Sequence, residues 1–226
     1  MSAFALIPGA GGAGWYWHLV GPLLEEAGHE ALAIDLPADD ESAGLAEYAA
    51  VVTEAIGARD DVILVAQSFG GFTAPLVAER APVRELVFVN AMVPLPGEAA
   101  GGWGEAVGAE RERLAAAERG GYTTEFDLDV YFFHDVDPAL VAAAGEHERD
   151  EADVAFETPC EFRAWPPVPI RAVAGREDRL FPPELQREVA RERLGVELDL
   201  VPGGHLVALS RPRELAAYLL SSASSG

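Results

Sequence analysis

Lysine is absent from this sequence of 226 residues; all 16 basic side chains other than histidine are arginine. Its absence excludes Schiff-base chemistry, which needs a lysine amine. Positive charge is scarce altogether: 38 Asp and Glu leave a net charge of −22. A surface this acidic repels phosphate backbones and anionic lipid, which argues against nucleic-acid or membrane partners. Composition leaves plain solubility and salt adaptation both open. Cysteine is nearly missing too. The lone Cys160 can form no intramolecular disulfide, so the fold does not depend on oxidation and the expected location is the cytoplasm. A small buried hydrophobe is the expected role of that side chain. No two histidines have metal-ligand spacing, so neither a metal nor another cofactor is expected. No apolar run reaches the roughly 18 residues that cross a bilayer. The opening Met1-Ser-Ala-Phe-Ala-Leu-Ile has no basic n-region and runs into a glycine-rich loop, so it reads as a strand rather than a signal peptide. The small polar residues Ser221 to Gly226 read as a frayed tail.

The chain is long enough for one domain, 1–226, with a full core. Half of it is hydrophobic and 24% charged, the balance of a globular protein. Apolar runs at Phe4–Pro8, Ala31–Leu36, Val62–Ala66, Glu85–Asn90, Ile170–Ala174 and Val196–Val201 predict strands. Helical spacing falls between them, at Trp15–Gly28, Leu45–Ile56, Gly70–Glu79, Glu184–Leu194 and Arg213–Leu220. Strands alternating with helices predict an α/β fold, a mostly parallel, doubly wound sheet covered on both faces.

Residues 92–167 interrupt this alternation. They hold predicted helices at Glu105–Arg119 and Pro138–Ala144 and the aromatic run Tyr131-Phe132-Phe133. A helical insertion at the carboxyl edge of a parallel sheet covers the crevice where such folds bind ligands, so the segment reads as a cap. Tyr131 and Phe133, with Trp15 from the first loop, are expected to touch substrate.

The strongest chemical signal is Val62-Ile-Leu-Val-Ala-Gln-Ser68-Phe-Gly70-Gly71. It puts a serine on the sharp turn from a buried strand into a helix, where strained dihedrals and close backbone approach require small neighbours. Ala66, Gly70 and Gly71 are small; Ala66 stands where the usual motif has glycine. Ser68 is therefore the candidate nucleophile. Acyl transfer builds negative charge on a carbonyl oxygen, which two backbone N–H groups can stabilise. Phe69, directly after the serine, is expected to supply one. The loop Pro8-Gly-Ala-Gly-Gly-Ala-Gly14 after the first strand is expected to supply the other, from Ala10. The same loop also fits a dinucleotide fingerprint as Gly9-x-Gly11-x-x-Gly14, with Asp35 as the ribose ligand; a lone match of this kind is weak.

The acid and the histidine should follow the serine in that order, each just past a strand. Asp178 and His205 do so, with Glu177 as the fallback acid. His205 takes the serine proton, and Asp178 holds the imidazole in the right tautomer. His18, His29, His134 and His147 are read as structural or surface residues, although His134 lies inside the cap.

Together these segments resemble the α/β-hydrolase superfamily over nearly the whole chain. Pro8-Gly-Ala-Gly-Gly-Ala-Gly-Trp15-Tyr-Trp17 is similar to the H-G-A-x-H-G-A-W-x-W loop of small plant-type methylesterases, hydroxynitrile lyases and related bacterial esterases. Glu85 to Pro94 resembles the segment that leads into their cap. Pro8 and Gly12 replace the two histidines of that loop, so any substrate contact from those histidines is missing. The resemblance implies a minimal core that starts at the third strand of the usual fold. The lyases carry threonine at the position of Gly9 and lysine at that of Leu206, so these two residues point away from cyanohydrin cleavage. The resemblance implies a serine hydrolase that cleaves small carboxylic esters through an acyl-enzyme. The alternatives are non-hydrolytic chemistry on the same scaffold (a lyase, a perhydrolase-type activity, a biosynthetic cyclase or dehydratase) and a non-catalytic ligand-binding protein.

Overall fold

The computed structural model describes residues 1–223. Six strands, β1 (Ala3–Ile7), β2 (Glu30–Ala33), β3 (Val62–Gln67), β4 (Glu85–Val89), β5 (Ile170–Gly175) and β6 (Leu198–Val201), form one sheet in the order β2-β1-β3-β4-β5-β6. Every adjacent pair is parallel. Side chains alternate between the faces of a strand. Phe4, Leu6, Ile63, Val65, Val87 and Val89 therefore enter one apolar layer, while Ala5, Ile7, Leu64, Ala66, Leu86 and Phe88 enter the other.

Helices fill both layers. On the first face lie α1 (Gly21–Glu26), α10 (Val207–Ser210) and α11 (Pro212–Ala223), and on the second α2 (Leu45–Ile56), α3 (Ala74–Ala78) and α9 (Pro183–Val189). The winding direction reverses between β1 and β3, because the chain leaves β1 outward to β2 and then returns to β1's other side. Such a switch point opens a crevice at the carboxyl ends of the strands. The register pairs Ile7 with Ala66, so the glycine loop and the Ser68 turn emerge side by side at that crevice.

Between β4 and β5 lies the predicted insertion. It contains α4 (Ala100–Ala106), α5 (Ala109–Gly120), α6 (Leu128–Tyr131), α7 (Pro138–Gly145) and α8 (Asp153–Glu157). Its two ends meet at a short neck. Ala99 and Pro159 form an antiparallel bridge, Cys160 N–H donates to Glu98 C=O at 2.8 Å, and Gly97 N–H donates to Cys160 C=O at 2.9 Å. From the neck the chain still has to return to the amino edge of the sheet, which it does through residues 161–169, with Phe162 buried in the second layer.

Strand positions follow the sequence expectation, but several helices are shorter or divided. Trp15–Gly28 splits into a 3₁₀ turn, Gly14–Trp17, and α1, which has Pro22 in its first turn. Proline has no N–H and cannot continue a helix from the preceding turn. For the same reason Gly70–Glu79 becomes a 3₁₀ turn, Ser68–Phe72, followed by α3 with Pro75 in its first turn. The Glu105–Arg119 stretch belongs to two helices that break at Gly108, where φ is +69°. The last part of Glu184–Leu194 is a π-type turn, Ala190–Leu194. Strands β2 and β6 are shorter than expected. Of the expected tail, Ser221 to Ala223 belong to α11, and Ser224 to Gly226 lie outside the described residues.

Candidate active site

Ser68 sits at the end of β3 with φ +50°, in the left-handed region that costs a non-glycine residue about 1–2 kcal/mol. Its surroundings fix that strain. Ser68 C=O accepts from Met92 N–H at 2.9 Å. A Cβ on Gly70 would collide with Pro8 O, and one on Gly71 with Met92 O. Gly9 is tightly enclosed as well: a Cβ there would stand 2.5 Å from Gln67 Oε1 and 2.9 Å from Ser68 Cβ, so a larger residue requires the Gln67 side chain to move.

Ser68 Oγ lies 3.1 Å from His205 Nε2, and His205 Nδ1 lies 2.9 Å from Asp178 Oδ2. His205 and Asp178 are buried. The carboxylate accepts from Nδ1–H, which leaves Nε2 bare to accept the serine proton. Asp178 is held by three further donors: Leu180 N–H and Phe181 N–H on Oδ1, both at 2.9 Å, and Gln186 Nε2 on Oδ2 at 3.0 Å. Glu177, the fallback acid, turns away. Its carboxylate accepts from Gly203 N–H at 2.6 Å, and its side chain is exposed.

The histidine loop is gripped by side chains from three segments. Glu177 takes Gly203 N–H, and Asp135 of the cap takes Gly204 N–H at 2.8 Å. Asn90 Nδ2 donates to Gly204 C=O at 3.1 Å and His205 C=O at 2.8 Å, while its Oδ1 accepts from Gly175 N–H at 2.7 Å. Asn90 is fully buried and sits at φ +46°. It therefore ties the end of β5, which leads to Asp178, to the loop carrying His205.

Ala10 and Phe69 follow the two turns that flank the crevice. Phe69 N–H opens the 3₁₀ turn, where no helical acceptor exists. Ala10 is exposed, beside the buried Gly9. The cap fixes this loop from above: Glu151 accepts from Gly11 N–H at 2.7 Å and from Tyr48 O–H. Burial raises the Glu151 carboxyl above the usual range. Asp35, the alternative ribose ligand, is engaged with Gly14 N–H at 2.9 Å and Arg149 at 2.6 Å, so it serves the loop itself.

Of the expected substrate contacts, Trp15 and Phe133 line an apolar cavity of about 360 Å³ under the cap. Tyr131 does not line it. The Tyr131 ring is wholly buried against Phe126, Tyr122 and Arg113, and its hydroxyl donates to Thr123 C=O at 2.7 Å. It anchors the cap as the last residue of α6, with Phe132 and Phe133 just beyond the helix. Phe132 instead meets His205 edge to face, with ring centroids 5.1 Å apart. His134 reaches Glu177 C=O at 3.0 Å, and burial lowers its basicity. His147 is exposed and stacks on Trp15, which stacks in turn on His18. Cys160 is buried, donates to Phe72 C=O, and has its thiol pushed up to about 12 by burial. Among the described residues no helix is long and apolar enough to cross a membrane, and no cluster of three or more His, Cys, Asp or Glu could hold a metal ion.

Sequence reasoning missed Asn90, Gln186, Asp135 and Glu151. Asn90 alone left a trace, a polar residue closing a buried strand. Asp135 and Glu151 act on backbone groups dozens of residues away, and Gln186 reaches Asp178 eight residues back only through the turn between them, which no periodic pattern encodes.

The profile described as the alpha/beta hydrolase family matches residues 4–218. Norfluorocurarine synthase 1 from a Strychnos species is 39% identical over 103 residues, covering 40% of this chain and 39% of the relative. Methylesterase 7 of Arabidopsis thaliana is 39% identical over 104 residues, 40% of each chain. The matched stretch thus spans about two fifths of these curated relatives. The crystal structure of polyneuridine aldehyde esterase superposes with a TM-score of 0.79 at 22% identity, covering 99% of both chains.

Proposed function

The chain belongs to the alpha/beta hydrolase family, and from that premise we propose that it is a serine hydrolase of small carboxylic esters working through an acyl-enzyme. One observation carries the reading: the buried relay from Ser68 Oγ through His205 to Asp178. Ser68 Oγ attacks the ester carbonyl carbon while its proton passes to His205 Nε2. The carbonyl oxygen takes the negative charge between the N–H groups of Ala10 and Phe69. Asp178 stabilises the imidazolium without taking the proton. The tetrahedral species collapses, His205 protonates the leaving alkoxide, and Ser68 keeps the acyl group. Water, deprotonated by the same histidine, then releases the acid. The cap excludes bulk water, which strengthens each of these electrostatic contacts. The relatives named methylesterase and polyneuridine aldehyde esterase support the reading.

Incubation with a fluorophosphonate and measurement of intact mass tests it, followed by a panel of activated esters. One adduct per chain, lost in Ser68→Ala together with turnover by about 10⁴ to 10⁶, is the expected result. Activity in Ser68→Ala within tenfold of wild type overturns it. A second reading, non-hydrolytic chemistry on the same residues, rests on the relative named norfluorocurarine synthase. A labelled chain that turns over no ester favours that one. The proposed partner is a small ester rather than nucleic acid or membrane, on the net charge of −22. The proposed location is the cytoplasm, on the unpaired Cys160.

A further inference from the structure

Ser68 is not among the residues that line the apolar cavity. Its lining includes Trp15, Val141 and Leu206, but neither Ser68 nor His205. One side chain belongs to both places: Phe132 lines the cavity and stands 5.1 Å from the His205 ring, edge to face. Phe181 also meets this imidazole edge to face, with ring centroids 5.2 Å apart. The Phe132 ring therefore adjoins both the serine relay and an apolar space of about 360 Å³, large enough for a sizeable ligand group. The backbone at this point is well fixed, since Tyr131 beside it is buried and Phe132 N–H donates to Leu128 C=O at 2.9 Å. Truncating the ring also removes its edge contact with Phe126, while the contacts that anchor Tyr131 itself remain.

We propose that Phe132 is a specificity-determining residue that limits the apolar group of the ester, so that the wild-type protein works on short substrates and leaves the cavity beyond the ring unused. This rests on the reading of the chain as an ester hydrolase. The ring excludes long chains by volume. Removing the ring joins the two spaces, and each further methylene can then leave water for an apolar wall, which favours the longer ester.

The test compares wild type, Phe132→Leu and Phe132→Ala on two series. In one, p-nitrophenyl esters run from acetate to decanoate; in the other, methyl to octyl esters share one acid. Expected is a rise of at least tenfold in the ratio of kcat/KM for the longest over the shortest member, in one series, with Leu intermediate. The series that responds identifies whether the acyl or the alcohol group enters the cavity. Unchanged ratios in both series, in variants whose melting temperature and fluorophosphonate labelling match wild type, overturn the proposal and leave the hydrolase reading intact. If Phe132→Ala fails to fold, the Leu variant carries the same comparison. Wild type that is inert on every ester overturns the hydrolase reading, and this inference with it.

Discussion

Asn90 shows what a single residue can hold in this fold. Its amide serves Gly175 N–H and the carbonyls of Gly204 and His205, and its backbone is left-handed. Asn90→Ala strands those buried groups, at about 1–3 kcal/mol for each one left unsatisfied, and keeps a Cβ at positive φ. Thermal melting should fall by roughly 10 °C, at 2–4 °C per kcal/mol for a chain of this size. Turnover should fall with it, as the His205 loop loses its tie to β5. A melt unchanged within 2 °C would deny Asn90 this part. The choice of acid is tested similarly. Asp178→Asn should cost about 10⁴ in kcat through the wrong histidine tautomer, and Glu177→Gln should be mild because that carboxylate faces Gly203; reversed effects would name Glu177 as the acid. The residues of the relay were legible in the sequence because each directly follows a strand, and chain order constrains them. Their supports were not, since Gln186 meets Asp178 only through the geometry of α9 after β5.

The elements that read cleanly were those with one dominant cause. Buried parallel strands are apolar on both faces, and β3 and β4 stand out for that reason. Helices near the carboxyl edge read less well where prolines at 22 and 75 reset them, whereas α7, expected over Pro138–Ala144, runs over Pro138–Gly145. The cap segment that carries His134 and Asp135 illustrates how one element is fastened to another. Asp135 holds Gly204 N–H, and His134 Nε2–H donates to Glu177 C=O. Around His134 lie Arg179, which disfavours its protonation, and Asp135 and Asp178, which favour it; burial prevails and its pKa falls below the ordinary 6.5. The unfolded chain therefore binds the proton more readily than the folded one. His134 supports stability fully above about pH 6.5, and this support fades as pH drops from there through the lower folded value. Melting curves between pH 8 and 5 should show a steeper acid loss in wild type than in His134→Gln. Parallel curves would mean that the histidine is not what acid releases.

At the scale of the whole molecule, a net charge of −22 opposes compaction through self-repulsion. Salt screens such repulsion over about 10 Å at 0.1 M and 3 Å at 1 M. The melting temperature should rise between 0.05 and 1 M sodium chloride; a flat or falling response would place the acidic groups in favourable pairs instead. The general architecture was readable in advance because alternating strands and helices admit few topologies, whereas the path of the insertion was not, being fixed by contacts at its ends. Those ends are what set it apart. With Ala99 bridged to Pro159 and Cys160 bonded to Glu98, everything from residue 100 to 158 departs from and returns to one point, while residues 161–169 make the passage back to β5. The lid is thus an appendage on a closed base, and its length can grow, shrink or be exchanged without redrawing the route of the sheet. A chimera that receives a foreign lid between positions 99 and 159 should keep its fluorophosphonate labelling at Ser68 where the donor supplies carboxylates to hold Gly11 N–H and Gly204 N–H, and its ester preference should follow the donor.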